Sequence, residues 1–89
     1  MIYEEHFPAF ITITCYNWER LLERSQEKEI IIESLRFLVG KNRIKVHAFV
    51  LMDNHFHLIW RVSKGYTREA VQRDFLRYTA QQILKNFRN

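Results

Sequence analysis

Residues 43–62 constrain the fold more than any other part of the chain, because they predict a β-hairpin. The two halves, Arg43 to Met52 and His55 to Val62, are rich in β-branched and aromatic residues, which strands favour. Between them stand Asp53 and Asn54, two residue types that suit the tight turn of a hairpin. Any fold for this chain must therefore include this antiparallel pair of strands.

Three further elements accompany the predicted hairpin. Phe10 to Trp18 has β-branched and aromatic residues in alternation, which predicts a strand. A helix is predicted from an N-cap at Ser25 to a stop at Gly40, with apolar residues at helical spacing between them. Thr67 is predicted to cap a second, long helix. The apolar face of that helix comprises Val71, Phe75, Leu76, Thr79, Ala80, Ile83, Leu84 and Phe87.

The resulting order, β-α-β-β-α, predicts an α+β fold. It is the beginning of a ferredoxin-like split βαβ unit, in which an antiparallel sheet carries both helices on one face. Such a unit ordinarily ends with a fourth strand, which this sequence of 89 residues does not include. A chain of this length builds one core, so residues 1–89 are predicted to form a single domain with an open sheet edge.

Composition restricts the compartment and the class of protein. Hydrophobic residues make up 47% of the chain, with only two Gly and one Pro, which excludes disordered and collagen-like chains. The single cysteine, Cys15, excludes an internal disulfide and suits a reducing compartment. No apolar run approaches the roughly 18–20 residues that a membrane helix needs, and the N-terminus lacks a signal-peptide pattern. The sequence therefore predicts a soluble, cytoplasmic domain.

Basic charge is concentrated in the second half of the chain. Residues 1–40 hold four Lys or Arg against seven Asp or Glu, whereas residues 41–89 hold ten against three. The net charge of +4 is therefore the sum of an acidic N-terminal half and a strongly basic C-terminal half. This asymmetry predicts a surface that binds a polyanion, with ordinary solvated surface as the alternative.

His55 and His57 form the sharpest motif in the sequence. Residues two apart on a strand point to the same face, so the two imidazoles are predicted to stand side by side. Phe56, Leu58 and Trp60 then face the other way. Two imidazoles at this spacing are able to share one divalent ion, with water or substrate oxygens completing its coordination. A simpler interpretation is two surface histidines on an open sheet face, because His-x-His is short and common.

The sequence Met-Asp-Asn-His-Phe-His at residues 52–57 is part of a wider pattern. A His-hydrophobe-His motif on a strand, after Met-x-Asn and a hairpin turn, resembles the IS200-like transposases and their relatives associated with repetitive extragenic palindromes. The resemblance covers roughly residues 7–88. It extends to Ala9–Thr14 with Trp18, to Ala48–Met52 and to Phe75–Thr79 of the long helix.

The resemblance implies a metal-dependent enzyme that nicks and transfers single DNA strands. In that family the histidine pair holds Mg²⁺ or Mn²⁺, which polarises the scissile phosphate. A tyrosine attacks phosphorus and leaves a 5′-phosphotyrosine and a free 3′-hydroxyl, which conserves the phosphodiester energy for rejoining. Because Mg²⁺ prefers oxygen ligands, the resemblance implies that His55 and His57 bind the ion loosely and depend on the phosphate.

Two departures from the family pattern concern the site. Asp53 stands where the family usually carries Pro; Asp suits a turn, and its carboxylate is also a potential metal ligand. The family's nucleophilic tyrosine, with an amide one turn later, lies on a helix beyond the fourth strand, so the resemblance implies a chain truncated before that helix. Tyr78 is the candidate to replace the nucleophile, with Gln82 four residues later on the same helical face as the candidate third metal ligand. The alternative for Tyr78 is a half-buried position at the edge of the core.

Basic residues that would contact DNA phosphates lie on the predicted hairpin, after it, and on the long helix. They are Lys45, Arg61, Lys64, Arg68, Arg73 and Arg77. Phosphate contacts supply affinity without sequence information. Exposed aromatic residues such as Phe10, Tyr16 and Phe49 would stack bases.

The register of the hairpin decides which of these residues share a face with the histidines. A two-residue turn would pair Val50 with His57 and place Ile44, Val46 and Ala48 on the histidine face. A longer or bulged turn would place Lys45 and His47 there. The sequence leaves both alternatives open.

The predicted partners are single-stranded or hairpin DNA and a second copy of the chain. An unpaired sheet edge is a liability that proteins normally cover, and dimers of the resembled family join their sheets, so a two-fold homodimer is predicted through a strand edge or the long helix. The alternative function is a non-catalytic DNA-hairpin-binding protein or a decayed transposase relic. A metal-independent interaction module is the third hypothesis.

Overall fold

The computed structural model describes residues 7–15 and 19–88. The elements are β1 (Ala9–Thr14), α1 (Ser25–Gly40), β2 (Ile44–Leu51), β3 (His55–Val62) and α2 (Arg68–Arg88). Their order confirms the predicted β-α-β-β-α arrangement and the α+β class. The first strand ends at Thr14, earlier than predicted, and its predicted continuation at residues 16–18 lies outside the described residues.

The central strand of the three-stranded sheet is β3, and the strand order is β1-β3-β2. Both outer strands run antiparallel to it. Because α1 connects β1 to β2, which are not neighbours, the chain passes over the position that β3 later fills. This is the split βαβ topology that the sequence predicts.

Both helices pack on the same face of this sheet. Along β3 the buried residues alternate with partly exposed ones, as expected for a strand with one covered face. The buried set, Phe56, Leu58, Trp60 and Val62, forms one core with Ile31, Leu35 and Leu38 of α1 and Val71, Phe75 and Ile83 of α2. The Phe75 ring lies 6.2 Å from that of Phe56 and 6.0 Å from that of Trp60, measured between centroids. The opposite face of the sheet is left open by both helices.

The start of α1 differs from the prediction. Ser25 is the first helical residue and not the N-cap, which is Arg24. The Arg24 side chain makes no capping hydrogen bond. Its guanidinium binds the carboxylate of Glu27 instead. The carboxylate lies in the first turn, where the helix dipole favours negative charge.

The end of α1 lies at Gly40, as predicted, but Gly40 does not reverse the chain. Asn42 does so with a φ of 58°, a left-handed conformation that Asn tolerates better than most residues. The Asn42 N–H donates to the carbonyl of Val39, and the Arg43 N–H donates to that of Leu38. These two bonds form a Schellman motif that satisfies carbonyls of the last turn.

The long helix begins where the sequence predicts. The Ala70 N–H donates to Oγ1 of Thr67 at 3.2 Å, which confirms Thr67 as the cap. Gly65, in the turn before the helix, has a φ of 94°, a conformation that a residue with a Cβ rarely adopts. No helix within the described residues has the length and apolarity needed to cross a bilayer.

Candidate metal and nucleic-acid site

The β2–β3 hairpin combines the two registers that the sequence leaves open. Its turn has two residues, Asp53 and Asn54, and Val50 pairs with His57. Farther from the turn the pairing shifts at His47, which forms a β-bulge. The bulge changes which residues of β2 share the face of the histidines.

Each predicted register is therefore correct for one part of β2. On the turn side of the bulge, Ala48 lies on the histidine face, as a two-residue turn predicts. Beyond the bulge, Lys45 lies on that face opposite Arg61, as the bulged alternative predicts. Ile44 and Val46 are directed to the helices, and Ile44 is buried in the core.

His55 and His57 stand next to each other on the open face of the sheet. Their ring centroids are 5.0 Å apart, and the ring planes are nearly perpendicular. Nδ1 of His55 lies 2.8 Å from Oδ1 of Asn54. Nδ1 of His57 lies 3.0 Å from Oγ1 of Thr12. Metal-binding histidines use such a bond at one ring nitrogen to direct the other nitrogen at the ion.

The first strand supports His57 in two ways. Thr12 is its direct cross-strand partner, which explains their hydrogen bond. Phe10, two residues earlier and on the same face, stacks on the His57 ring at 5.6 Å between centroids. Neither Thr12 nor Asn54 was predicted to support the histidines. For Thr12, the signal in the sequence is its alternation along the strand, which places it on the same face as Phe10.

The imidazole nitrogens of His55 and His57 fit a divalent ion that is held mainly by oxygen ligands from outside the protein. No cluster of three or more His, Cys, Asp or Glu suited to a metal occurs in residues 7–15 and 19–88. His55 and His57 would therefore provide two imidazole nitrogens, and water or phosphate oxygens would fill the other positions.

The carboxylate of Asp53 is bound by two cations of the segment that precedes and begins α1. It accepts a 2.6 Å hydrogen bond from Arg20 and lies 3.5 Å from Nζ of Lys28. The bond from Arg20 is the main reason that the pKa of Asp53 lies below its usual value. The Asp53 carbonyl also accepts the N–H of Leu22 at 2.8 Å. Asp53 thus attaches the segment before α1 to the hairpin turn, which agrees with the turn role considered for it.

Tyr78 and Gln82 do not lie with the histidines. Both line a cleft of about 640 Å³ between α1 and α2, on the face of the sheet that the helices cover. The sheet separates them from the two imidazoles, because Phe75, in the same cleft, packs on Trp60 from the helix side. Tyr78 is 53% exposed and is able to meet another molecule, but not the histidines of its own chain.

The other tyrosines do not change this conclusion for the described residues. The Tyr66 ring lies 5.6 Å from the guanidinium of Arg43, and Arg43 lines the cleft between α1 and α2 on the covered face. Tyr3 and Tyr16 lie outside the described residues. Within the described part of the chain, no tyrosine has been found beside the imidazoles.

The six candidate DNA-binding residues fall into two groups. Lys45, Arg61 and Lys64 line one pocket at the end of the sheet, and the first two share the face of the histidines. Arg68, Arg73 and Arg77 lie on α2, on the other side of the sheet. Arg73 is also 3.3 Å from a carboxylate oxygen of Asp74. The histidine face therefore carries two of the six predicted residues, Lys45 and Arg61, and Lys64 lies in the turn beside them.

No protein-family model matches this chain, and no curated protein is significantly similar to it. The resemblance to the IS200-like transposases accordingly depends on the motif residues themselves, above all on residues 52–57.

Proposed function

We propose that this chain binds single-stranded or hairpin DNA on the open face of its sheet, together with a divalent ion, Mg²⁺ or Mn²⁺. The observation that carries the proposal is the pair of oriented imidazoles, His55 and His57, on a sheet face whose three described strands carry no acidic residue. Lys45 and Arg61 add positive charge to the same face. Such a surface attracts a phosphate backbone.

The chemistry of the ion complements this surface. When bound, the ion would polarise a DNA phosphate and draw part of its coordination from the phosphate oxygens. The hydrogen bonds at Nδ1 of His55 and His57 hold the rings in place before the ion arrives, which lowers the entropy cost of binding. We expect metal and DNA to bind cooperatively for this reason.

Residues 52–57 resemble the histidine motif of the IS200-like transposases. We therefore propose that the chain is a domain of that type. Cleavage of that type needs a tyrosine at the phosphate, and Tyr66 and Tyr78 do not lie at the histidines of their own chain. A non-catalytic DNA-binding role is therefore the second candidate, and the position of Tyr78 on the helix side favours it. Cleavage would need a tyrosine brought from elsewhere, such as another copy of the chain.

A homodimer through the outer edge of β2 belongs to the same proposal. Along this strand Ala48, Phe49 and Val50 are consecutive exposed residues, and Phe49 and Val50 are 44% and 54% exposed. Apolar side chains on both faces of an outer strand favour pairing with another strand. A second copy added there would bring two histidine faces into one continuous sheet.

The dimer is tested by placing a charge on this edge. Wild-type protein is expected to sediment as a dimer in the high micromolar range, and Val50→Lys as a monomer, because a lysine on an edge strand opposes pairing. Val39→Lys is the matched control, since Val39 is 43% exposed on α1. A wild-type protein that remains monomeric at these concentrations would contradict the proposed dimer.

The proposed function is tested by thermal unfolding with Mn²⁺ and a single-stranded or hairpin oligonucleotide. Ligands that bind only the native state stabilise it by about 2.7 kcal/mol at a hundred times their Kd. For a domain of this size that raises the Tm by about 10–20 °C. We expect the two ligands together to raise the Tm more than either does alone.

Two results of these measurements separate the hypotheses. A Tm that neither Mn²⁺ nor DNA changes would contradict the proposal and favour a metal-independent interaction module. A covalent protein–DNA band, formed with a 5′-labelled palindromic single strand and Mn²⁺, would assign cleavage in addition to binding.

A further inference from the structure

We propose that a pocket at the far end of the histidine face is a second phosphate site, which holds the backbone of the same DNA strand a few nucleotides from the histidines. This inference rests on the proposed function. The pocket has a volume of about 300 Å³ and is lined by Lys45, Arg61, Val62, Ser63 and Lys64. We call it the basic pocket.

The basic pocket contains a pair of like charges that no carboxylate of the described residues neutralises. Lys45 and Arg61 are direct cross-strand partners, and like charges directly opposite each other destabilise a sheet. Neither of them, nor Lys64, forms an ion pair within the described residues. Other described cations, such as Lys41 and Lys85, also lack a carboxylate partner, but Lys45 and Arg61 differ from them because they stand directly opposite each other in the sheet. An anion from outside the chain would remove the repulsion in the basic pocket.

The β-bulge at His47 creates this pair of like charges. If the register that places Val50 opposite His57 continued without interruption, Val46 would lie opposite Arg61. Lys45 would then be directed into the core. The bulge shifts the register so that Lys45 lies opposite Arg61. Bulges are often found where a side chain is re-aimed at a functional site, and here the re-aimed side chain is a cation.

The side chains of the basic pocket suit a phosphodiester. The planar guanidinium of Arg61 matches two phosphate oxygens, whereas Lys45 and Lys64 act as point charges. The hydroxyl of Ser63 is a further donor. Val62 also borders the basic pocket and carries no charge, while its side chain is buried in the core. The lining contains no carboxylate.

The position of the basic pocket sets the path of the strand. Arg61 follows His57 by four residues on β3, which corresponds to about 13 Å along the strand. In a stacked DNA strand, with about 3.4 Å between successive nucleotides, this distance corresponds to about four nucleotides. In an extended DNA strand it corresponds to fewer nucleotides. A DNA strand that follows β3 would therefore place one phosphate at the histidines and another in the basic pocket.

The test compares two double variants that lose the same charge. Lys45→Gln with Arg61→Gln removes two cations of the basic pocket. Lys41→Gln with Lys85→Gln removes two exposed cations of the helical side. The Kd of a labelled oligothymidine on the order of twelve nucleotides is measured without metal, in EDTA, across a series of NaCl concentrations.

Loss of the basic pocket is expected to change the salt dependence. Two lost phosphate contacts lower the slope of log Kd against log salt by about 1.4, which amounts to about 25-fold weaker binding near 0.1 M salt. The control pair is expected to keep the wild-type slope. Lys64→Gln, which lies in a turn outside the strand pairing, is expected to lower the slope by about 0.7.

The outcomes distinguish this inference from the proposed function. If the Lys45 and Arg61 variant keeps the slope of the control pair, the second phosphate site is wrong and DNA binding at the histidines stands. If the wild type binds no oligonucleotide either in EDTA or with Mn²⁺, both proposals are wrong. The variant with Lys45→Gln and Arg61→Gln should keep its Mn²⁺ affinity, because both imidazoles are intact, and its Tm, because a repulsion is removed. A fall in the Mn²⁺ affinity or in the Tm would contradict the assignment of the lost DNA binding to the basic pocket.

Discussion

His57→Ala is expected to abolish the Mn²⁺-dependent part of DNA binding, and His47→Ala to leave it unchanged. The described residues contain no group of three or more His, Cys, Asp or Glu that could hold a metal. The loss of one imidazole therefore leaves the ion with a single protein ligand. His47 is the matched control, because it is an exposed histidine of the neighbouring strand at the bulge rather than beside His55. The comparison separates a metal site from a general effect of losing a histidine.

A graded effect is expected from the residue that orients His57. Thr12→Val keeps the shape of the side chain but removes the hydroxyl 3.0 Å from Nδ1. Loss of such an orienting partner typically costs 10–100-fold in metal affinity, so Mn²⁺ should bind about 10-fold more weakly. Titration of the variants with Mn²⁺, followed by water-proton relaxation, measures these affinities. Undiminished Mn²⁺ binding by a variant that lacks both His55 and His57 would refute the metal site.

Glu27→Ala is expected to cause the largest loss of stability among substitutions of charged residues. The Glu27 side chain is fully buried. One carboxylate oxygen accepts Nε–H of Arg24 at 2.8 Å. The other accepts an Nη2–H of Arg24 at 2.9 Å and the side-chain amide of Asn86 at 3.2 Å. The guanidinium of Arg24 also lies 4.4 Å from the ring centroid of Phe87. Glu27 thus joins the first turn of α1 to the last turns of α2.

The size of the effect follows from these contacts. A hydrogen bond to a charged group contributes about 1.5–3 kcal/mol, and burial of the carboxylate offsets part of the sum. We expect Glu27→Ala to lower the free energy of unfolding by about 2–3 kcal/mol, which corresponds to a fall in Tm of about 10–20 °C. Glu33→Ala is the control, because the pair of Glu33 with Arg36 is exposed and such pairs contribute about 0.5 kcal/mol or less.

The contribution of Glu27 should also depend on pH. Burial raises the pKa of Glu27, but the hydrogen bonds from Arg24 and Asn86 and the charge of Arg24 outweigh it, so the pKa is lowered. A folded-state pKa below the unfolded value means that the unfolded chain binds the proton first as pH falls. The stabilisation is therefore complete above the unfolded-state value of about 4.3 and is lost as pH falls through the folded-state pKa.

Urea unfolding at a series of pH values measures this dependence. The difference in unfolding free energy between wild type and Glu27→Ala should be constant near neutral pH and shrink in the acid range below about pH 4. A difference that stays constant across the acid range would show that Glu27 stabilises the fold by packing alone.

Local periodicity in the sequence was sufficient to predict the elements and the face that carries the histidines. The bounds of β3, His55–Val62, are those predicted, because the alternation of buried and exposed residues is a property of the strand itself. The ends of α1 were less predictable. The N-cap is Arg24 and not Ser25, and the chain reverses at Asn42 and not at Gly40. Capping depends on which groups reach the unpaired N–H and C=O groups at the ends of the helix.

The tertiary structure decided how distant residues combine. The bulge at His47 directs Lys45 to the histidine face, and the register of β1 places Thr12 beside His57. The approach of α2 to α1 buries Glu27 under Asn86. Each of these contacts depends on the relative positions of two elements. Periodicity within one element determines which of its faces is apolar, but it does not encode the register or the crossing point that brings two elements together.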